Sequence, residues 1–344
     1  MNYKYLFFND YSEGAHQRII DAIAKSNLIQ ETGYGQDSIS LKAAELIKEK
    51  IKSHKADIHF VSGGTQANLI VLASMLKPYE SIIAATTAHI NVHEAGAIEA
   101  TGHRINNVPG VQGKITPRAI KEAVAQHTDE HMVKPKVVFI SNSTEVGTMY
   151  SKKELEEISK TCKALNLYLY MDGARLGSAL ASAKSDLNLA QIAKLVDVFY
   201  IGGTKNGALL GEAIVIINPA LKENFRYHMK QRGGLLAKGR ILGVQFAELF
   251  KDNLFFDLAK HANECAKKLS AGIKACGYTF LVESTTNQIF PILPNKIIDK
   301  LKKDYGFYVW AKVDNDHSAI RLVTSWATTE QAVNSFLGDL KKIS

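Results

Sequence analysis

Lys205 is the residue whose sequence surroundings most clearly indicate chemistry. It follows a short apolar run that ends in Gly202 and Gly203, and small residues continue after it. A lysine on the surface has no need of such neighbours, whereas a lysine packed closely against a flat ligand does. Lysines held in largely desolvated sites form Schiff bases with carbonyl compounds. We therefore predict that Lys205 is a covalent anchor for a cofactor.

An acid and an arginine follow an earlier apolar stretch. Asp172 ends the run 167–171 and is followed by Gly173, Ala174 and Arg175. An acid in this place could bind Mg²⁺, polarise a ring nitrogen or cap the next segment. The small residues after it favour a ligand over a cap, because they permit close backbone approach. We expect Asp172 and Arg175 to face one cavity.

The turn Ser62-Gly63-Gly64-Thr65 lies between a predicted strand and a predicted helix. Free N–H groups and the helix dipole make such a turn an anion site, and the Thr65 hydroxyl adds a donor. An ordinary turn with Thr65 as the helix N-cap is the alternative. The turn matches neither the Walker A pattern nor the G-x-G-x-x-G pattern of dinucleotide folds.

His89 lies in the loop after another predicted strand, with His93 and Glu94 close behind it. Two histidines at this spacing on a helix can bind zinc. The sequence offers no evident third ligand, however, so no metal is predicted. A lone histidine is usually structural, but an imidazole beside a cofactor can also pack against a flat ring.

Strands and helices alternate over residues 58–217, and this alternation must position the four groups. Apolar runs at 58–61, 81–85, 137–140, 167–171, 197–201 and 213–217 are separated by helical segments near 66–76, 116–127, 151–165 and 187–195. The alternation predicts an open, largely parallel α/β sheet. Ligands of such sheets bind beyond the carboxyl ends of the strands, which is where the four groups fall.

Pyridoxal phosphate is the cofactor that requires this combination of groups. It needs a Schiff-base lysine, a phosphate cup, an acid for the pyridine nitrogen and a flat group against the ring. Lys205, Gly64 with Thr65, Asp172 and His89 would supply them in that order. Taken alone, Lys205 would be better interpreted as an ordinary loop lysine. Taken together, the four groups favour a cofactor site.

The alternation stops after Pro219. Residues 240–275 read as one long helix or two, and strands near 278–282, 288–292, 307–311 and 319–323 accompany helices at 295–304 and 328–342. We therefore predict an irregular N-terminal arm (1–14), a large α/β domain (15–244) and a small α+β domain (245–344). Helices near 15–26 and after Asp37 or Ser38 open the large domain.

Composition limits the class of protein. The chain has 344 residues, 46% hydrophobic content and a net charge of +8. Its lysines are spread along helix-like stretches such as 42–55 and 260–274, which favours solvated helix faces over nucleic-acid binding. Three cysteines without C-x-x-C spacing favour a reducing compartment. With no signal-like or membrane-length apolar run, we expect a cytoplasmic protein with a small-molecule partner.

The order of the motifs resembles that of low-specificity L-threonine aldolases, which belong to the β-eliminating-lyase group of fold-type I pyridoxal-phosphate enzymes. The resemblance spans residues 9–324 and includes Gly-Thr-Gln-Ala-Asn (64–68), Ala-His…Glu-Ala-Gly (88–96), Asp-Gly-Ala-Arg (172–175), Thr-Lys-Asn-Gly (204–207) and Ile-Arg-Leu-Val-Thr (320–324). It implies a mostly parallel seven-stranded sheet, a smaller C-terminal domain and pyridoxal 5'-phosphate. It also implies cleavage of L-threonine, L-allo-threonine or related 3-hydroxy amino acids, such as phenylserine, to glycine and an aldehyde.

The resemblance assigns further roles by position. Lys205 would bind the cofactor with Asp172 at the ring nitrogen, and His89 would stack on the ring and act as, or near, the base. The phosphate would be bound by Gly64, Thr65 and Thr204, and Arg175 would contact the cofactor's phenolic oxygen. Arg321 would bind the substrate carboxylate. A neighbouring subunit's site would be reached by Tyr34, Lys230 and Lys238. A homodimer or homotetramer with shared active sites follows from the last of these roles.

Three departures from the family pattern bear on substrate preference. Asn9-Asp10 replaces Ser-Asp, which changes one expected substrate contact, and the segment 142–147 replaces Glu-Asn-Thr. His131 is the nearest candidate for the family's second active-site histidine. Other fold-type I activities, namely β-elimination, transamination or racemisation, remain as alternatives. A basic nucleic-acid-binding protein without catalysis is the alternative from a different class.

Overall fold

The computed structural model describes residues 3–344. The strands of this part are β1 (Tyr5–Leu6), β2 (Asp57–Val61), β3 (Glu80–Ala85), β4 (Ile105–Val108), β5 (Lys134–Ser141), β6 (Tyr168–Asp172), β7 (Val198–Gly202), β8 (Glu212–Ile216), β9 (Gln288–Ile289), β10 (Ile292–Pro294), β11 (Tyr305–Gly306), β12 (Tyr308–Lys312) and β13 (His317–Val323).

The α-helices of the same part are α1 (Gln17–Ser26), α2 (Ser38–Ile51), α3 (Gly64–Met75), α4 (His89–Val92), α5 (Pro117–Ala125), α6 (Lys152–Ala164), α7 (Leu176–Leu180), α8 (Leu189–Leu195), α9 (Phe225–Gln231), α10 (Arg240–Lys251), α11 (Leu254–Ala275), α12 (Asn295–Leu301) and α13 (Glu330–Ile343). None of the helices within residues 3–344 has both the length and the apolar character needed to cross a membrane.

Seven strands form the main sheet in the order β2-β8-β7-β6-β5-β3-β4. All neighbours are parallel except those of β8, which pairs antiparallel with both β2 and β7. The predicted mostly parallel seven-stranded sheet is therefore confirmed. The sequence patterns missed β4, since it is an edge strand with two asparagines among its four residues; one of them, Asn106, donates to the Ser81 hydroxyl at 2.8 Å.

The sheet brings several strand ends to one edge. The strands β3, β5, β6 and β7 run parallel, and β2 points the same way because β8 lies antiparallel between it and β7. All residues of β3 and β7 are buried, as expected for strands covered on both faces. The carboxyl ends of these strands and the start of β8 therefore meet at the same edge.

Helix α3 covers the sheet from this edge. Seven of its twelve residues are buried, in agreement with its mostly apolar sequence. The helix α2 is capped by Asp37, whose side chain accepts the Ser40 N–H at 2.7 Å. Of the two predicted caps, Asp37 is therefore the one used, and Ser38 is the first helical residue.

A second, smaller sheet has the order β10-β13-β12, with β9 paired to β13. Its hydrophobic core is separate from that of the main sheet and includes Leu269, Ile320 and Phe336. The expected strand at 278–282 is reduced to one isolated bridge at Phe280. The expected strand 288–292 is split into β9 and β10 around Pro291, because proline lacks the N–H that a ladder needs.

The N-terminal arm is less irregular than predicted. Tyr5 and Leu6 form β1, which pairs parallel with β11 some 300 residues away in the chain, and Phe7 is fully buried in the smaller core. Residues 1–2 lie outside the described part. The domain boundaries at 14/15 and 244/245 stay predictions; α10 runs across the second one, and its Phe246 and Phe250 belong to the larger core.

Candidate active site

A cavity of about 260 Å³ opens at the edge where the strand ends meet. Its walls come from the ends of β2, β5, β6 and β7, from the start of β8, and from loops beside them. The lining residues are Tyr11, Ser62, Gly63, Gly64, Thr65, His89, Ser141, Ser143, Glu145, Asp172, Ala174, Arg175, Tyr200, Thr204, Lys205 and Glu212.

Lys205 enters the cavity from the turn between β7 and β8. The N–H groups of Gly203 and Thr204 both bond to the Gly211 carbonyl, which closes this turn. A Cβ on Gly202 would lie 2.3 Å from the carbonyl oxygen of Ala174, so only glycine fits there. Burial and the nearby charge of Arg175 lower the pKa of Lys205, which favours its neutral amine.

Asp172 lies at the end of β6 and is held by three donors. The Tyr200 hydroxyl donates at 2.6 Å, the Ala174 N–H at 2.9 Å and the Asn68 amide at 3.1 Å. A Cβ on Gly173 would lie 1.8 Å from the Tyr200 carbonyl oxygen, which explains the glycine after the acid. Asp172 thus fixes its own turn and also faces the cavity.

A chain of hydrogen bonds joins Asp172 to His89. Asn68 on α3 donates to Asp172 and also to Oε1 of the buried Glu94, the latter at 2.7 Å. The same Glu94 oxygen lies 2.8 Å from Nδ1 of His89. The other Glu94 oxygen, Oε2, is buried without a partner within the described residues. Glu94 therefore fixes the orientation of the His89 ring and leaves Nε2 free of this contact.

Sequence reasoning gave neither residue a role, although Asn68 ends the family motif 64–68 and Glu94 belongs to the motif 88–96. The available signal was a single asparagine in a mostly apolar helix. A buried polar residue in such a helix needs partners. These are the two acids, to which the Asn68 amide donates, and the Tyr170 hydroxyl, which donates to Oδ1 of Asn68 at 2.9 Å. His93 lies beside His89, with 5.5 Å between ring centroids; burial, and next the charge of His89, lower its pKa.

Arg175 is locked to the N-terminal arm. Its Nε and Nη2 donate to the two oxygens of Asp10 at 2.7 and 3.0 Å, and the Asn287 amide donates to the same carboxylate at 2.8 Å. Burial would raise the pKa of Asp10, but the positive charges of Arg175 and Lys205 bring it below its usual value. Asp10 is therefore a buried carboxylate that carries its charge.

The turn 62–65 has the features of an anion cup. Gly63 is the N-cap of α3 and supplies no side-chain cap, so the alternative with Thr65 as N-cap is wrong. The Ser62 N–H and hydroxyl both donate to Oε1 of Gln66, at 3.1 and 2.9 Å. A Cβ on Gly64 would meet the Tyr200 hydroxyl at 3.0 Å. Thr65 and Thr204 line the cavity nearby.

Two residues assigned to the substrate do not line the cavity. Asn9 accepts from the Tyr11 N–H and the Ser12 hydroxyl, at 2.9 and 3.0 Å, and so holds a turn. Arg321 donates to the Phe8 carbonyl at 3.1 Å, and its guanidinium lies over the ring of Trp310. Burial, and next the charge of Arg175, lower the pKa of Arg321.

Tyr34, Lys230 and Lys238 form a group apart from the cavity of their own chain. The Lys230 ammonium lies 4.7 Å from the centroid of the Tyr34 ring, and the Tyr34 N–H donates to the Ala237 carbonyl beside Lys238. Tyr34 is 44% exposed. His131 is exposed as well, in a turn where its N–H donates to Asp129, and it is not among the lining residues.

Sequence reasoning gave no role to two acids that line the cavity, the half-buried Glu145 and the buried Glu212. Glu145, in the unusual segment 142–147, accepts from the Ser141 hydroxyl at 2.7 Å and from the His89 N–H at 3.0 Å. Glu212 accepts from the Gly203 N–H at 2.9 Å. Burial raises the pKa of both acids; the charge of Lys205 opposes this for Glu212. The sequence marked Glu145 only as part of the unusual segment 142–147, and no motif marked Glu212.

Similarity to solved structures shows the fold class of this chain. A mutant of aspartate aminotransferase from Thermus thermophilus superposes with a TM-score of 0.74 at 13% identity, covering all of this chain and 92% of the other. At that identity the similarity shows the fold, which is that of fold-type I pyridoxal-phosphate enzymes. The predicted fold class is therefore confirmed.

The β-eliminating lyase family model matches residues 13–295, and the chain belongs to that family. A low specificity L-threonine aldolase from Pseudomonas sp. (strain NCIMB 10558) is 34% identical over 343 residues, 98% of this chain and 97% of the relative. A threonine aldolase from Leishmania major is 51% identical with a TM-score of 0.97, covering 98% and 99% of the two chains. The predicted family and the predicted enzyme class, a lyase, are confirmed. Pyridoxal phosphate is a property of this family.

Proposed function

We propose that this protein binds pyridoxal 5'-phosphate in the cavity and cleaves L-threonine, L-allo-threonine or related 3-hydroxy amino acids, such as phenylserine, to glycine and an aldehyde. The observation that carries the proposal is the convergence of Lys205, Asp172, His89 and the turn 62–65 on one cavity. The Leishmania major relative, which bears the name threonine aldolase, supports the choice of substrate.

The residues present fit the cofactor. Lys205 would hold it through its amine, Asp172 would lie at the ring nitrogen, and His89 would lie against the ring. The phosphate would be held by Gly64, Thr65 and Thr204, with Arg175 at the phenolic oxygen. When bound, the cofactor supplies an electron sink for cleavage of the bond between Cα and Cβ.

Lys205 must present a neutral amine to react with an aldehyde. Its lowered pKa, caused by burial and by Arg175, provides that amine at lower pH than a surface lysine would. Asp172 must keep a negative charge in a buried place, and its three donors stabilise that charge. The lowered pKa of Lys205 and the donors around Asp172 support the roles that we propose for these two side chains.

His89 is the proposed base for the β-hydroxyl of the substrate. The contact with Glu94 occupies Nδ1, so Nε2 is the atom that would take the proton. Glu94 acts on His89 and not on the substrate, which makes it a positioning residue. It selects the tautomer that carries a hydrogen on Nδ1, as a carboxylate partner does for histidines in other sites.

Arg321 and Asn9 are the proposed substrate ligands. Arg321 would bind the substrate carboxylate and thereby fix the bond that breaks, which is a positioning effect. The stacking of its guanidinium on Tyr308 and Trp310, at 5.3 and 5.1 Å from the ring centroids, orients the side chain. The Asn9 amide holds its turn through Oδ1, which leaves its Nδ2 group for the substrate.

A homodimer or homotetramer with active sites between subunits is part of the proposal. Tyr34, Lys230 and Lys238 lie together and away from their own chain's cavity, as residues that serve a neighbouring chain would. Tyr34 also has φ of 61°, a left-handed conformation in a loop next to Gly35. A cytoplasmic location is proposed as well, supported by three free cysteines, two of them buried.

The test compares products under identical conditions. Purified protein with added cofactor is given L-threonine, L-allo-threonine, phenylserine, L-serine and L-alanine. We expect glycine and aldehyde in equal amounts from the first three and none from the Lys205→Ala variant. Faster release of pyruvate from serine, of a keto acid from any substrate, or of D-alanine from L-alanine would contradict the aldolase proposal and favour β-elimination, transamination or racemisation.

A further inference from the structure

Glu212 occupies a position between the two groups that would hold the cofactor's phosphate and its aldehyde carbon. As the first residue of β8 it is the register partner of Val61, the last residue of β2, and of Gly202, the last residue of β7. The residues after Val61 form the turn 62–65, and those after Gly202 lead to Lys205. One acidic residue thus pairs with the strand end that leads into the anion cup and with the strand end that leads to the lysine, and it lines the same cavity as both.

Few donors reach this carboxyl group. The Gly203 N–H donates to Oε2 at 2.9 Å, but it is shared with the Gly211 carbonyl at 3.0 Å. The Thr204 hydroxyl is the other neighbour that favours the charged form. Among residues 3–344, no cation lies within ion-pair distance of Glu212. A buried carboxylate without a partner is costly, so its charge depends on Lys205.

Lys205 has several charged neighbours, which differ in how many partners they have. Arg175, Asp10 and Asp172 act on it more strongly than Glu212 does. Arg175 and Asp10 form an ion pair with each other, and Asp172 accepts from three donors. Glu212 is therefore the acid of this group with the fewest partners.

A phosphate group in the turn 62–65 would place a like charge in the cavity that Glu212 also lines. Two anions in one buried cavity repel each other, and the repulsion is removed if the carboxylate takes up a proton. A neutral carboxylic acid also gains an O–H donor that a phosphate oxygen can accept. The arrangement therefore favours binding of the phosphate together with one proton.

On the basis of the proposed function, we propose that Glu212 takes up a proton from solvent when the cofactor's phosphate group enters the turn 62–65, and that the neutral carboxyl group then donates to that phosphate. One O–H bond forms on Glu212 and no other bond changes. Cofactor affinity should therefore fall with rising pH, by up to about tenfold per pH unit where Glu212 is ionised in the free protein.

The full-length chain, freed of cofactor, tests the proposal by calorimetry. Pyridoxal 5'-phosphate, inorganic phosphate and pyridoxal are titrated in buffers of different ionisation enthalpy, which gives the number of protons taken up. Glu212→Gln keeps the acceptor for Gly203 and mimics the neutral acid. Glu145→Gln, in the same cavity, is the matched control. The titrations are made above pH 8, where Glu212, whose pKa burial raises to about 8, is ionised in the free protein. We expect the two phosphate-containing ligands to take up about one proton more in the control than in Glu212→Gln.

Pyridoxal keeps the test decisive should Glu212→Gln fold poorly. It lacks the phosphate group, so the unaltered chain should take up more protons with pyridoxal 5'-phosphate than with pyridoxal, after correction for the phosphate's own titration. Equal proton uptake in Glu212→Gln and Glu145→Gln, or equal corrected uptake for the two aldehydes, overturns the role of Glu212. Failure of all three ligands to bind would instead refute the cofactor site and with it the proposed function.

Discussion

Asp172 and Glu212 are two buried acids in one cavity with opposite surroundings. Asp172 accepts from Tyr200, Ala174 and Asn68, which come from β7, its own turn and α3. Glu212 has one backbone donor, which it shares with a carbonyl, and a neighbouring hydroxyl. The comparison teaches that two buried carboxyl groups in one cavity can differ widely in the number of donors that stabilise a negative charge on them.

Asp10 belongs with Asp172 in this comparison, because it too has three donor atoms, two of them from Arg175. In Asp10→Asn the Arg175 charge stays buried without its partner. We expect the free energy of unfolding to fall by about 3–5 kcal/mol, measured by urea denaturation. Replacing Arg175 by methionine in the same chain should restore part of the loss. Unchanged stability in Asp10→Asn would show that this pair does not hold the arm.

Asp172→Asn tests the charge at the cavity directly. The change removes the negative charge and leaves the Tyr200 and Asn68 donors facing an amide. We expect kcat for threonine cleavage to fall by about 10²–10³-fold, since loss of one preorganised electrostatic contact has effects of that size. Steady-state kinetics with saturating cofactor measure it. An activity within tenfold of the unaltered chain would mean that Asp172 is not the charge the chemistry needs.

Asn68→Ala removes the donor that Asp172 and Glu94 share. Two hydrogen bonds to acids are lost, and the buried Tyr170 hydroxyl loses the acceptor that it reaches at 2.9 Å. Each acid keeps its other contacts, so we expect kcat to fall by about tenfold. Because Glu94 also orients His89, the pH profile of kcat should shift as well. Ser74→Ala on the same helix is the control. A profile identical in both variants would reduce Asn68 to a packing role.

His59 extends the comparison outside the cavity, since its buried Nε2 has no partner within the described residues. Burial lowers its pKa from 6.5 to about 4, so the folded state binds a proton less readily than the unfolded chain. Stability is therefore full above pH 6.5 and falls as the pH drops towards 4. Over the first pH unit below 6.5, the free energy of unfolding should fall by about 1 kcal/mol.

Thermal unfolding as a function of pH measures the His59 effect, and His59→Gln should flatten this part of the profile. The neighbouring charges of Asp57, Arg226 and Lys222 act on His59 in both directions, and the lowering by burial is the largest of the influences. An equally steep loss of stability in His59→Gln would show that another group binds the proton.

The residues predicted from sequence share one property, which is that they follow strand ends. Lys205, Asp172, His89 and the turn 62–65 were recognisable because parallel strands bring their carboxyl ends to one edge. Glu212 escaped notice because it begins a strand, and only the antiparallel direction of β8 brings that beginning to the same edge. Nothing local in the sequence reveals that direction.

Long-range contacts account for the other misses. The pairing of β1 with β11, and the bond from Asp10 to Arg175 across 165 residues, depend on the finished fold. The role of Asn68 depends on two acids that lie 26 and 104 residues further along the chain. Sequence patterns describe neighbours within a helix or strand, so contacts of this range are outside their reach.

The most direct test of the central claim is to locate the lysine that binds the cofactor. The chain with pyridoxal 5'-phosphate is reduced with borohydride, digested and analysed by mass spectrometry. We predict one stoichiometric pyridoxyl group on Lys205, with loss of the visible absorbance of the C=N bond. A stoichiometric label on another lysine, or no label while the protein cleaves threonine, would contradict the account.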